Sequence, residues 1–278
     1  MISKEIFSLH MGKGMWKLVL SDRSFPGSSP GAIFEQARRA GILRIVMRDE
    51  VLRPVRGRRL WWRRSQDRED WREVSQWAEA LDYGRSRLHA LRFERLRAGV
   101  RLIAWAIAPR SSTGVDAARI QQYALTAAAA AAFLGAQGLL LEGLDQWEPG
   151  EARTFIRRLL PILGGLRLIL WLRLSEVSPL LLEVPREFGA RVRPWIALDL
   201  EGLLPGDFPT LWDMIRPSVS MLIFRCGPEH LEWWDREGRP ILERTGFKGE
   251  LVVTFPAIAG GGWEMWKRLT QVHRLLPE

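Results

Sequence analysis

The chain has 278 residues, 47% hydrophobic and 26% charged, which is ample apolar material for one large core. Its single cysteine, Cys226, excludes an internal disulfide, and no apolar run reaches the ~18 residues that a membrane span needs. The net charge of +9 and a pI of about 10.6 come mostly from arginine, because only Lys4, Lys13, Lys17, Lys248 and Lys267 are lysines. The opening MISKEIFSLHMGKG has no long apolar stretch of signal-peptide type. With the cysteine usage, this sets a cytoplasmic location as the expectation.

In chain order, a first strand is predicted over Trp16–Asp22, followed by the loop SFPGSSPG and a helix from Ser29-Pro30 to Ala40-Gly41. A second strand, Ile42–Arg48, ends at Asp49-Glu50. The basic insertion RPVRGRRLWWRRSQDRED precedes a long helix from about Glu69 to Arg97. Strand three is Val100–Ala108 and helix three Asp116–Leu134. Gly135 then stops the helix, and strand four runs over Gly138–Leu141 to Glu142. Helix four is Pro149–Leu163, strand five Leu166–Leu174, and a short helix lies around Pro179–Phe188. Strand six is Arg193–Leu200, helix six Phe208–Ile215, strand seven Val219–Arg225 and helix seven Pro228–Arg244. Strand eight is Glu250–Phe255, and AIAGGGW opens a last helix, Trp263–Leu276.

An apolar strand followed by an amphipathic helix, repeated eight times, predicts an α/β chain folded as one parallel (β/α)8 TIM barrel over residues 1–278. Residues 50–68 form a basic loop insertion within it. Such barrels place their chemistry at the C-terminal ends of the strands.

Three segments resemble the xylose-isomerase-like barrel superfamily of sugar phosphate isomerases and epimerases. They are IFEQARRAGILRIVM, ALTAAAAAAFLGAQGLLLEG and RVRPWIALDLEGLL. The resemblance implies metal-assisted proton transfer next to a carbonyl, with Glu, Asp, His and Glu ligands at the ends of strands five to eight. Position by position this chain departs from that set. The first glutamate position falls near Trp171–Arg173, and Asp199 matches the aspartate. Gly202 stands where a histidine is common, Phe224 or Arg225 where the strand-seven histidine would be, and Phe255 where the last glutamate would be. The histidines, His10, His89, His230 and His273, are not placed to compensate. The expectation is a degenerate metal site and no cofactor, with an all-oxygen Mg²⁺ or Mn²⁺ site left open.

The strand-end acids Glu142, Asp199 and Glu201 are the candidate catalytic groups, with Asp22, Asp49, Glu50 and Asp145 also at strand ends. Asp199 and Glu201 alternate on one predicted strand and should point the same way. The competing account makes these carboxylates partners of rim arginines such as Arg48, Arg173 and Arg225. Candidate substrate-binding groups are Arg173, Arg225, the Gly260, Gly261 and Gly262 backbone, and Trp171, which could stack on a sugar ring. Arg48, Glu142, Arg173, Asp199, Glu201 and Arg225 should converge at one mouth. Cys226 follows strand seven with no base in sight and reads as a packed thiol.

The leading expectation is a divergent isomerase- or epimerase-like barrel that acts on or binds a carbohydrate or sugar phosphate. One alternative is a non-catalytic barrel serving as a subunit, with copies of itself or an active paralogue as partner. Another is a basic barrel binding nucleic acid through residues 50–68. Nucleic acid is disfavoured because the basic residues form a loop rather than a recognised module, and no membrane partner is expected.

Overall fold

The computed structural model describes residues 16–26, 28–52, 86–109, 117–174, 183, 187–188, 194–201, 208–255 and 275. Eight strands close into an all-parallel barrel in sequence order. They are β1 (Lys17–Ser21), β2 (Arg44–Arg48), β3 (Arg101–Ile107), β4 (Gly138–Leu141), β5 (Ile169–Leu174), β6 (Trp195–Asp199), β7 (Val219–Arg225) and β8 (Glu250–Thr254). β1 pairs with both β2 and β8, so the sheet has no free edge. This is the (β/α)8 architecture expected from the alternating pattern.

The helices that cover the barrel are α1 (Pro30–Arg39), α2 (residues 86–98), α3 (Ala117–Leu134), α4 (Pro149–Gly165), α5 (Phe208–Ile215), α6 (Pro228–Trp233) and α7 (Arg239–Thr245). Their starts follow local chemistry. The Ser29 hydroxyl accepts the Ala32 N–H ahead of Pro30, and the Glu148 carboxylate accepts the Gly150 N–H ahead of Pro149. On α3, Ala124, Ala127, Ala128 and Ala131 form a fully buried stripe that seats the helix close to the sheet. Gly135, at φ 69°, ends it in the left-handed conformation that glycine adopts most readily.

Period-2 alternation sorts the strand residues into two apolar layers. Leu20, Ile45, Met47, Trp105, Leu139, Leu172 and Phe224 pack outward against helices. Val19, Val46, Ala104, Leu140, Trp171, Ala197, Met221 and Val252 fill the barrel. The N-terminal end of the barrel holds the Arg44–Glu250 ion pair, with nitrogen–oxygen distances of 3.1 and 2.5 Å.

Several boundaries differ from the sequence expectation. Strand five begins at Ile169 because α4 continues to Gly165 and a tight turn follows, with Arg167 at φ 57°. The single helix expected over Pro228–Arg244 is interrupted by a π-helical turn, Trp234–Gly238. Pro240 accounts for this. It donates no N–H and crowds the carbonyl four residues back, and a widened turn accommodates both. The helices expected around Pro179–Phe188 and over Trp263–Leu276, the first part of the helix from Glu69, and most of the 50–68 loop lie outside the described residues. Among the described residues no helix is long and apolar enough to cross a membrane.

Candidate functional site at the barrel mouth

The C-terminal ends of the strands bring together a chain of charged groups. The inward positions of β4 are Gly138, Leu140 and then Glu142, one residue past the strand. Those of β5 are Ile169, Trp171 and Arg173, and those of β6 are Trp195, Ala197 and Asp199. The last member of each series therefore arrives at the mouth. Arg173 lies between the other two. Its Nη1–H donates to Glu142 Oε1 at 2.8 Å and its Nε–H to Asp199 Oδ2 at 2.9 Å, while Nη2 also bonds Asp199. Only 15% of the Arg173 side chain is exposed, with 11% for Glu142 and 5% for Asp199. Burial opposes the charge on Arg173 more than any other single influence. The Glu142 and Asp199 carboxylates together outweigh it and raise the guanidinium above its usual range.

A second layer of arginines continues the network. Arg23 Nη2 donates to Glu142 Oε2 at 2.5 Å. Arg48 donates its backbone N–H to Asp22 Oδ2 at 3.1 Å and its Nε–H to Oδ1 at 3.3 Å, and also pairs with Glu50 at 2.9 Å. Burial pushes the Asp22 carboxyl above its ordinary value, and Arg48 only partly offsets this. Asp49, at the end of β2, accepts the Tyr123 hydroxyl of α3 at 2.5 Å.

Beside this network is a cavity of about 510 Å³, within the size range of small-molecule sites. Arg23, Glu142, Asp145, Arg173 and Asp199 give it a charged wall, and Ala108, Pro109 and Trp147 an apolar one. The Trp147 indole is held by its N–H bond to the Pro109 carbonyl at 3.2 Å and by the Phe155 ring, with centroids 5.2 Å apart.

The expected site residues divide into three groups. Glu142, Arg173 and Asp199 meet as expected. Glu201 and Arg225 pair with one another on the exposed rim and do not line the cavity. Strand β6 stops at Asp199, whose Oδ1 accepts the Glu201 N–H at 3.0 Å and closes a turn. Asp199 and Glu201 therefore do not share a strand face, which corrects the alternation expected for them. Trp171 is also corrected. It is only 3% exposed, its N–H donates to Ser220 Oγ at 2.8 Å, and its ring lies against Gly138. Ser220 and Gly138 stand at the starts of β7 and β4, so the ring fills the barrel's N-terminal half instead of facing a ligand. Phe255 is outward-packed, and Thr254 is the inward residue closing β8. Gly202, Gly260, Gly261 and Gly262 lie outside the described residues. Cys226 is buried, and burial raises its thiol pKa well above the usual range.

Arg23 is not among the residues expected at the site, and Trp147 is expected there only as one of several tryptophans near strand ends that could line a cavity. Arg23 had a signal, since it directly follows the strand-end Asp22. Trp147 sits behind the short turn Leu144–Gln146 after β4, and its placement depends on the Pro109 carbonyl, 38 residues away.

No protein-family model matches the sequence, and no curated protein matches it significantly. Solved structures match across nearly the whole chain. The apo form of 3-keto-D-glucoside 4-epimerase from E. coli aligns with a TM-score of 0.61 at 9% identity, covering 94% of this chain and 99% of that one. A xylose isomerase domain containing protein from Salmonella typhimurium aligns with a TM-score of 0.60 at 13% identity, over 94% and 96%. D-psicose 3-epimerase crystallised with D-fructose aligns with a TM-score of 0.58 at 14% identity, over 92% and 89%. The chain thus has the fold that these solved structures share.

Proposed function

We propose that the barrel mouth binds a carbohydrate, with Glu142 and Asp199 accepting its hydroxyl protons and Arg23 and Arg173 donating to its oxygens. The observation that carries this reading is the 510 Å³ cavity, lined by carboxylates, guanidiniums and Trp147. Sugars offer hydroxyls that donate and accept over an apolar ring face, and such a lining answers both. Three of the five Arg173 N–H groups are directed at carboxylates, which leaves two for a ligand oxygen. The fold of sugar epimerases supports the same ligand class.

The donor set does not fit a divalent cation in the manner of a metal-assisted isomerase. The gap between Glu142 and Asp199 is filled by a guanidinium, and the inward strand-end groups of β7 and β8 are Ile223, Arg225 and Thr254. In this reading Glu142 is the proton acceptor. Glu201 is a rim group. Arg225 is engaged by Glu201 and is not presented to a phosphate on the sugar.

Calorimetric titration of free hexoses, pentoses and their phosphates into wild type and Glu142→Gln tests the reading. A free sugar should bind the wild type, and the variant should lose about 1.5–3 kcal/mol, the range for a hydrogen bond to a charged group. Proton NMR of the same mixtures in D₂O reads whether a carbon-bound proton next to the carbonyl exchanges, and with it whether the barrel turns over or only binds. Failure of every sugar to bind at millimolar concentration sinks the carbohydrate reading. It would favour the non-catalytic subunit, a reading that the arginine pairing of Asp22, Glu142, Asp199 and Glu201 already supports.

A further inference from the structure

We infer that Arg173 is a fixed internal cation holding the place of a divalent ion between Glu142 and Asp199, and that its removal turns the mouth into a cation site. Two largely buried carboxylates, at the ends of the strands that flank β5, approach Arg173 from either side, and its guanidinium bridges them. Two such charges without a counter-ion repel one another and lack solvation. A cation at that point relieves both, as protonation of one carboxylate would in its absence. Arg173 supplies it covalently, in a planar form that bonds both carboxylates. Arg23 and Arg48 are tied to Glu142 and Asp22 from the other side and do not replace the bonds to Asp199.

Truncating Arg173 leaves oxygen donors around a space the size of a guanidinium. Hard divalent cations prefer oxygen ligands and retain water in the remaining positions, so Mn²⁺ fits such a space. The inference concerns the charge balance of the mouth and does not depend on which ligand binds there.

The test uses the full chain, stripped with chelator and titrated with MnCl₂, read by the loss of the free Mn²⁺ electron paramagnetic resonance signal and by thermal melting. The wild type should take up no Mn²⁺ and melt at the same temperature with or without it. Arg173→Ala should bind one Mn²⁺ per chain and regain several degrees of melting temperature on adding it. Arg173→Lys, which keeps the charge, should bind none. Adding Asp199→Asn to Arg173→Ala should abolish the uptake. Should Arg173→Ala not fold, Arg173→Gln keeps most of the volume without the charge and takes its place. Stoichiometric Mn²⁺ binding by the wild type that Asp199→Asn removes would overturn the inference, as would an Arg173→Ala or Arg173→Gln protein that binds no more Mn²⁺ than wild type. Sugar titrations of the wild type fail or succeed separately from these outcomes.

Discussion

Arg173 is the residue on which the mouth depends most. Its bonds to Glu142 and Asp199 are largely shielded from water, so loss of the guanidinium takes a buried partner from both and leaves Glu142 with Arg23 alone. Arg173→Ala should lower unfolding stability by about 3–5 kcal/mol, the cost of breaking a buried ion pair from one side. Combining Arg173→Met with Glu142→Gln and Asp199→Asn should restore most of the loss, because neither carboxylate that Arg173 paired with is then charged. Urea unfolding of both variants checks this, and equal destabilisation of the two would show that packing, not charge, is at stake. Asp22 makes a prediction in pH. Burial raises its folded pKa above the ordinary carboxylate value, so the folded chain holds this proton to higher pH than the unfolded chain. The stability it contributes is complete below the ordinary carboxylate range and is lost as pH rises through the raised value. Wild type should therefore lose stability relative to Asp22→Asn as pH climbs from about 4, the ordinary carboxylate pKa, and melting curves across that range measure the difference. Glu142 and Asp199 were legible in the sequence because an acid ending an apolar strand of a barrel has one place to go. Trp171 was not legible in the same way. Its inward direction follows from the alternation, but its depth depends on Gly138 and Ser220, which lie on other strands.

At the scale of elements, β4 shows how one missing side chain sets the barrel's packing. A methyl group on Gly138 would collide with the Ile169 carbonyl oxygen and the Trp171 ring. The first is backbone of the paired strand and cannot rotate away. Gly138→Ala should destabilise the protein by about 1–3 kcal/mol, as overpacking of a core does. It should also shift the fluorescence of Trp171, read against a Trp171→Phe control. An unchanged melting temperature would mean that β4 and β5 separate more easily than their pairing suggests. Among the described residues the order of strands and helices was readable, and Gly138–Leu141, Phe208–Ile215 and Val219–Arg225 fell on the expected residues. These segments end at glycine or proline signals, or at abrupt changes of periodicity. The end of β6 was overextended because Leu200 and Glu201 continue the apolar–polar alternation. The strand stops where the Asp199 side chain accepts the Glu201 N–H, a competition between side chain and ladder that alternation does not register. The π-turn at Trp234–Gly238 arises in the same way, from Pro240 inside an otherwise regular pattern.

At the scale of the whole molecule, overall charge and local charge point in opposite directions, and this yields a prediction that separates the functional readings. The chain carries +9, which favours non-specific attraction to anions. The described cavity wall instead holds two guanidiniums, Arg23 and Arg173, against three carboxylates, Glu142, Asp145 and Asp199. Arg225 at the rim is paired with Glu201. A ligand selected by this wall gains from hydrogen bonds and little from long-range attraction. An uncharged sugar should therefore bind with an affinity nearly constant between about 50 and 500 mM salt, a range over which the screening length changes several-fold. Polyanions held by the arginine-rich surface should behave oppositely, because each neutralised phosphate adds to a steep loss of affinity with salt. Parallel titrations of a free sugar and a single-stranded oligonucleotide at several salt concentrations make the comparison. A sugar affinity that falls as steeply as that of the oligonucleotide would place its binding on the basic surface and away from the mouth. Salt-resistant oligonucleotide binding, with no sugar response, would turn the reading toward the nucleic-acid alternative and toward residues 50–68.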